Sequence, residues 1–276
     1  MNNKVRNLLR YAVMIIALVV FSYSSYKLAS IYIGYKEGND VYKNIQDDFF
    51  VPNIDQSEGG DEDNNSEDNN NNIVIEGDGE GQEFVFDFES LKKLNKYAVG
   101  WISLDDGEYI SYPVLQCEDN DKYLRRLITG KKNTAGSIFV DYRCEGGLDA
   151  KNTIIYGHNM RNLSMFGTLK NYYDEPEYYK EHPYFDIWVG EKQYRYYVFS
   201  IYHLNIYDNN TYQFKYETDE AFLQYVEERK QLSIVPIDVG EITAQDKIAT
   251  LSTCVRNHDE LRLILHLVRR EIPKEE

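Results

Sequence analysis

Hydrophobic positions along the chain fall into zones of different period. From Tyr11 to Tyr26 there is no charged residue, and the run is strongly apolar through Phe21, so residues 11–33 can span a bilayer if the Lys27 ammonium snorkels to the headgroups. Val41, Ile45 and Phe49 then recur at four-residue intervals, which predicts a juxtamembrane helix over residues 39–50. Between Asn53 and Glu83 apolar residues are few among Asp, Glu, Asn and Gly, a composition that cannot bury enough surface to fold and predicts a flexible, charge-extended spacer. Beyond it Asp87 can cap a helix running through Asn95, with Phe88, Leu91 and Leu94 inward. Eight short β-rich runs follow, at 99–104, 109–116, 137–141, 153–156, 184–189, 193–203, 247–253 and 261–268. That succession predicts a mainly β domain, an eight-stranded barrel with a few peripheral helices.

Two connections add detail. Gly190-Glu191-Lys192 links two apolar-aromatic runs as a hairpin turn. Between the sixth and seventh runs lie about forty residues, in which Thr218 can cap a helix with Phe222, Tyr225 and Val226 on one face. A connection of that length with structure of its own is often a lid or binding loop.

Charge and termini narrow the class. The 276 residues carry a net charge of −16, so the electrostatic footprint of a nucleic-acid binder is missing. Lys4, Arg6 and Arg10 lie on the short side of the apolar segment, which places the bulk of the chain outside the cytoplasm. The competing reading is a cleaved signal peptide, but no small-x-small cleavage site follows. The expected layout is a cytoplasmic N-terminus over 1–10, a transmembrane signal-anchor over 11–33, a juxtamembrane helix and acidic spacer over 34–83, and an extracellular domain over 84–276. Three cysteines, Cys117, Cys144 and Cys254, are an odd number in an oxidising setting, so at least one thiol stays free. Cys117 and Cys144 could pair, although their spacing follows no disulfide framework and no zinc pattern.

Three motifs carry the chemistry. Thr250 to Cys254 reads T-L-S-T-C and delivers a thiol to the end of a β-rich run, and Arg262 follows inside L-R-L-I-L-H-L. Upstream, N-T-I-I-Y-G-H-N ends a second run in Gly157 and His158. A free thiol is mostly protonated near neutral pH, and a nearby imidazolium or guanidinium favours the nucleophilic thiolate, so these residue types suit acyl transfer. Taken alone, Cys254 could equally be a small buried hydrophobe, His158 a loop histidine and Arg262 a surface arginine. His258 and Arg256 compete by proximity to Cys254, but both fall in the expected connecting turn.

These motifs, together with D-N-D-K-Y-L…A-G-S-I-F-V-D over Asp119–Asp141, resemble those of the sortases, class B most closely, across residues 84–270. The resemblance implies a cysteine transpeptidase of the outer face of a Gram-positive cell. Cys254 would attack a threonine carbonyl in an N-P-x-T-N or S-P-x-T-G sorting signal of a surface protein. His158 would protonate the departing amine, and an amino group of a cell-wall precursor would resolve the thioacyl enzyme. Arg262 would donate to the carbonyl or its oxyanion. By the same matching Asn120, Tyr156 and Ser252 would line or assist the site, although each could be an ordinary cap or strand residue. The sequence has no phosphate-binding glycine loop and no clustered metal ligands, so no cofactor is implied. The alternatives are a pilin-polymerising sortase, for which Asp87-Phe88 superficially resembles a lid, an exported cysteine peptidase, and a non-catalytic surface binding module.

Overall fold

The computed structural model describes residues 3–52, 75–76, 83–104, 109–208 and 210–272. A single long helix, α1 (Asn3–Phe49), runs into a short strand β1 (Phe50–Pro52), which with β2 (Ile75–Glu76) and β3 (Glu83–Phe86) forms a small sheet in the order β1-β3-β2. Helix α2 (Phe88–Leu94) leads into the barrel. The barrel strands are β4 (Ala98–Leu104), β5 (Ile110–Leu115), β6 (Ile138–Val140), β7 (Asn152–Tyr156), β8 (Tyr184–Val189), β9 (Lys192–Asn205), β10 (Ile248–Val255) and β11 (His258–Arg270). They close in the order β10-β11-β9-β8-β4-β5-β6-β7, with a parallel β7–β10 seam completing the ring. Two one-turn helices, α3 (Asn171–Asp174) and α4 (Tyr178–Glu181), precede β8, and α5 (Asp219–Leu232) lies in the long connection before β10.

The eight expected strands are the eight barrel strands. Leu251, Leu263, Leu265 and Leu267 point into the common core with Trp101, Ile102 and Ile187, while Phe222, Tyr225 and Val226 of α5 form a second apolar layer with Phe199, Ile248 and Val268. Thr218 caps α5 by accepting from the Ala221 amide at 3.2 Å. Asp87 caps α2 by accepting from the Ser90 amide at 2.9 Å, so this acidic residue serves a helix end. Leu94 departs from its expected inward position and is exposed, because α2 is only two turns long and buries Leu91 alone completely.

The N-terminal region differs from expectation in its continuity. The apolar segment and the juxtamembrane helix are one rod: it stands free through Ile33 and lies against the barrel domain from Gly34 onward. The Tyr42 ring meets Tyr112 edge-on at 5.3 Å, and its hydroxyl donates to the Gly136 carbonyl at 2.7 Å. Asn133 donates to the Gly34 carbonyl at 2.9 Å, and Lys131 pairs with Glu37. The expected spacer falls mostly outside the described residues. Its two ends are described, and they meet: β1 pairs antiparallel with β3, Pro52 opposite Phe84, and the Asp87 amide donates to the Phe49 carbonyl at 3.1 Å. The segment therefore leaves and re-enters the fold at one place.

Candidate active site

Register brings the three chemical residues together. The parallel β7–β10 ladder ends with Tyr156 opposite Ser252, and the antiparallel β10–β11 ladder sets Cys254 opposite Arg262. Two residues beyond that last parallel pair stand His158 on one strand and Cys254 on the other. The strands stay tied past the ladder: the Gly157 amide donates to the Ser252 carbonyl at 3.3 Å, and Asn159 Nδ2 donates to the Cys254 carbonyl at 2.9 Å. His158 sits between those two bonds. Gly157 is required by space, since a Cβ there would lie 2.5 Å from Ile138 Cδ1 and 2.6 Å from Phe166 Cδ2.

Each group is presented differently. Cys254 is exposed at the rim, where a register shift between Cys254 and Val255 ends the regular ladder before the two-residue turn Arg256-Asn257. Asn257 takes φ +65°, a conformation that asparagine tolerates better than most residues. His158 is half-buried, and its Nε2 lies 2.7 Å from the Leu124 carbonyl. A carbonyl only accepts, so Nε2 carries a hydrogen and Nδ1 is the nitrogen left to give or take a proton. Arg262 Nη1 donates to the Asp259 and Leu261 carbonyls, both at 2.9 Å, which fixes the guanidinium on the face shared with Cys254. Among the described residues its other nitrogens make no hydrogen bond. Arg256 turns instead to Asn159 and the Met160 carbonyl, and the His258 ring lies 3.8 Å from Glu260.

No protein-family model matches the sequence. The chain is 39% identical over 175 residues to sortase B of Listeria monocytogenes and 37% identical over 173 residues to that of Staphylococcus aureus, in each case spanning 63% of this chain and 69% of the relative. The chain belongs to the sortase B family. Among solved structures, a sortase B from Bacillus anthracis in complex with AAEK1 superposes with a TM-score of 0.68 at 30% identity, covering 88% of this chain and all of that one. A Staphylococcus aureus sortase B–substrate complex superposes at 0.61 with 34% identity, covering 67% of this chain and 85% of that one. Sortases are transpeptidases of the cell surface, and α1 is the one described helix long and apolar enough to cross a membrane.

In this sortase the face that presents Cys254 and Arg262 continues inward as a polar lining. Tyr156 and Ser252, expected there from sequence, share it with two residues the motifs did not single out, Asp141 and Tyr212. The Tyr212 hydroxyl lies 2.8 Å from Ser252 Oγ, and its ring centroid is 6.0 Å from that of Tyr156. Burial pushes the Tyr212 pKa up, opposed by the Ser252 hydrogen bond and the Arg262 charge. Asp141 is fully buried and accepts from Tyr156 Oη at 2.9 Å, Asn120 Nδ2 at 2.9 Å, and Arg143 through Nε at 2.9 Å and Nη2 at 2.8 Å. Burial pushes its pKa up, but the Arg143 fork and the other donors outweigh it and hold the carboxyl below the ordinary range. Asn120 bonds to Asp141 and to the Tyr142 amide, so it acts on the lining rather than on Cys254 or His158.

The opposite face of the rim carries a separate cleft of about 290 Å³, touching Cys254 and walled by Val255, Asn159, Tyr173, Asp174 and His203. The Tyr173 and His203 rings stack there at 3.6 Å. Cys117 and Cys144 are both free thiols. Cys144 is buried and accepts from the Ile154 amide, and burial pushes its pKa up to about 11, which makes it inert as a nucleophile. Among the described residues no group of three or more His, Cys, Asp or Glu could hold a metal.

Proposed function

We propose that this chain is a membrane-anchored class B sortase that cleaves a C-terminal sorting signal of the N-P-x-T-N or S-P-x-T-G type after threonine and joins the threonine carbonyl to an amine of a cell-wall precursor. The observation that carries the reading is one rim where β7 and β10 end and β11 begins, with His158, Cys254 and Arg262 on it and a polar-aromatic lining leading away on the Cys254 face. With His158 protonated at Nδ1, the Cys254 thiolate adds to the threonine carbonyl carbon, and the oxyanion develops toward Arg262. The C–N bond then breaks as His158 gives its Nδ1 proton to the departing amine, leaving a thioester. An incoming amine adds to that carbonyl and loses its proton to His158. The thiolate leaves, an amide replaces the thioester, and both side chains return to their starting state.

Tyr156, Ser252 and Tyr212 would receive the residues preceding the scissile bond, with Asp141, Asn120 and Arg143 fixing the Tyr156 hydroxyl from behind. The N-terminus would be cytoplasmic and the barrel extracellular, held at the bilayer by the docked half of α1. The test is cleavage of quenched fluorescent peptides bearing N-P-x-T-N, S-P-x-T-G and L-P-x-T-G by the full chain in detergent, followed by addition of an amine acceptor. Cysteine-dependent cleavage after threonine, converted to amide product by the acceptor, is expected. Cleavage that persists in Cys254→Ala would overturn the assignment.

A further inference from the structure

The segment Lys122–Lys132 carries Lys122, Arg125, Arg126, Lys131 and Lys132 and no acidic residue, in a chain of net charge −16. It is a built surface. Arg126 bridges antiparallel to Lys132, the Leu127 amide donates to the Lys131 carbonyl at 2.9 Å, and the Asn133 amide donates to the Arg125 carbonyl at 3.1 Å. A cleft of about 710 Å³ opens over it, walled by Lys122, Arg125, Arg126, Lys132, Asn133 and Thr134, with Asp119 and Asp121 at one rim. Asp119 accepts from the Asp121 and Lys122 amides of its own turn at 2.8 and 2.7 Å, so its carboxylate is already engaged.

Its position relative to α1 is what gives this charge a meaning. The apolar half of α1 stands free through Ile33, and Gly34, the first half-buried residue after it, accepts from Asn133 of the same cleft. Lys131 pairs with Glu37, four residues past Ile33. At 1.5 Å per residue these ties lie within roughly 6 Å of the end of the apolar span along the helix axis. Three of the five cations are occupied: Lys131 by Glu37, Arg126 by the Gly130 carbonyl at 3.0 Å, and Lys122 over the Tyr97 ring at 3.8 Å. Arg125 and Lys132 are exposed and, among the described residues, make no side-chain hydrogen bond or ion pair.

We propose that the Lys122–Thr134 surface binds the phosphates of anionic phospholipid headgroups in the bilayer that holds α1, with Arg125 and Lys132 as the principal ligands. Basic residues beside an anionic bilayer act within a Debye length of it, which this placement satisfies. The surface is not contiguous in sequence with the apolar span and meets the membrane only because α1 docks where it does. The inference rests on reading α1 as the anchor.

The test uses the full chain in nanodiscs of phosphatidylcholine alone or of phosphatidylcholine with phosphatidylglycerol, with amide exchange followed over residues 122–134. Exchange slowed roughly fivefold or more by the anionic lipid is expected, reversed by high salt and absent from the double variant Arg125→Glu, Lys132→Glu. That variant's thermal transition and peptide cleavage in detergent report whether it is folded. Equal exchange in the two kinds of disc would overturn the proposal while leaving the anchor reading intact. Equal protection by inorganic phosphate in phosphatidylcholine discs would overturn the lipid as its source. A chain that does not enter discs at all would overturn the anchor reading and this proposal with it.

Discussion

Two polar clusters sit on the same three strands, one ring of residues apart, and they are built on opposite principles. In the middle of β10 and β11, His266 is completely buried with both ring nitrogens engaged, Nδ1 by Thr250 Oγ1 at 3.0 Å and Nε2 by Tyr202 Oη at 2.9 Å. Thr250 donates to Asn152 Oδ1 at 2.9 Å, Asn152 donates to the Gln213 carbonyl at 2.9 Å, and Arg229 donates to Thr211 Oγ1 at 3.1 Å beside Tyr202. At the rim, Cys254 is exposed, His158 has one ring nitrogen tied to a carbonyl, and Arg262 spends one nitrogen on its own turn. Buried polar groups in a low-dielectric interior are costly unless paired, so a network that engages both nitrogens of the His266 ring fixes the register of the strands that hold it. Groups with capacity left over at the end of that fixed register are the ones able to take on a substrate.

The sharpest way to break this contrast is Cys254→Ala. Loss of peptide cleavage by at least about 10³-fold with an unchanged thermal transition is expected, measured by product formation and by calorimetry. A parallel loss of stability would put Cys254 among the structural groups. Arg262→Lys comes next: it keeps the charge but not the fork, and cleavage should fall by about 10²-fold, in kcat more than in KM, as for loss of one oxyanion donor. A change in KM alone would assign Arg262 to ground-state binding.

The inner cluster should respond the other way. Asn152→Ala leaves the Gln213 carbonyl and the Thr250 hydroxyl short of a partner, at a cost of about 1–3 kcal/mol. Denaturation should register that cost, with cleavage well below the transition little changed. A further effect is in pH. Burial, with the nearby Arg229 charge adding, pulls the His266 pKa down to about 3 from 6.5. The unfolded chain therefore takes up a proton near pH 6.5 that the folded one refuses until about 3, so this contribution is fully present above 6.5 and declines as pH falls through that window. The slope is at most about 1.4 kcal/mol per pH unit. His266→Gln should flatten the slope, and an unchanged slope would mean that the ring is not held neutral.

The sequence made local features legible and left pairings hidden. Short β-rich runs located all eight barrel strands, and T-L-S-T-C and Y-G-H-N put Cys254 and His158 at strand ends. Nothing local told that β7 and β10, almost a hundred residues apart, are parallel neighbours with Tyr156 opposite Ser252. Asp141 was visible only as the last residue of a family motif, and its role depends on Asn120, Arg143 and Tyr156 converging on it. Tyr212 lies in the long connection before α5, where no periodicity marks which tyrosine turns inward. The docking of α1 was equally hidden, because Val41, Ile45 and Phe49 show that a face is apolar but not what covers it.

The pairing of β1 with β3 has a practical side. Because the chain between Pro52 and Glu83 begins and ends at neighbouring strand positions, its length sets no distance between α1 and the barrel, and each doubling of such a loop costs only about 0.6 kcal/mol in closure entropy. On the proposed anchor reading, a fluorescent protein or an affinity module spliced into it would ride beside the enzyme without lifting the rim of Cys254 away from the membrane.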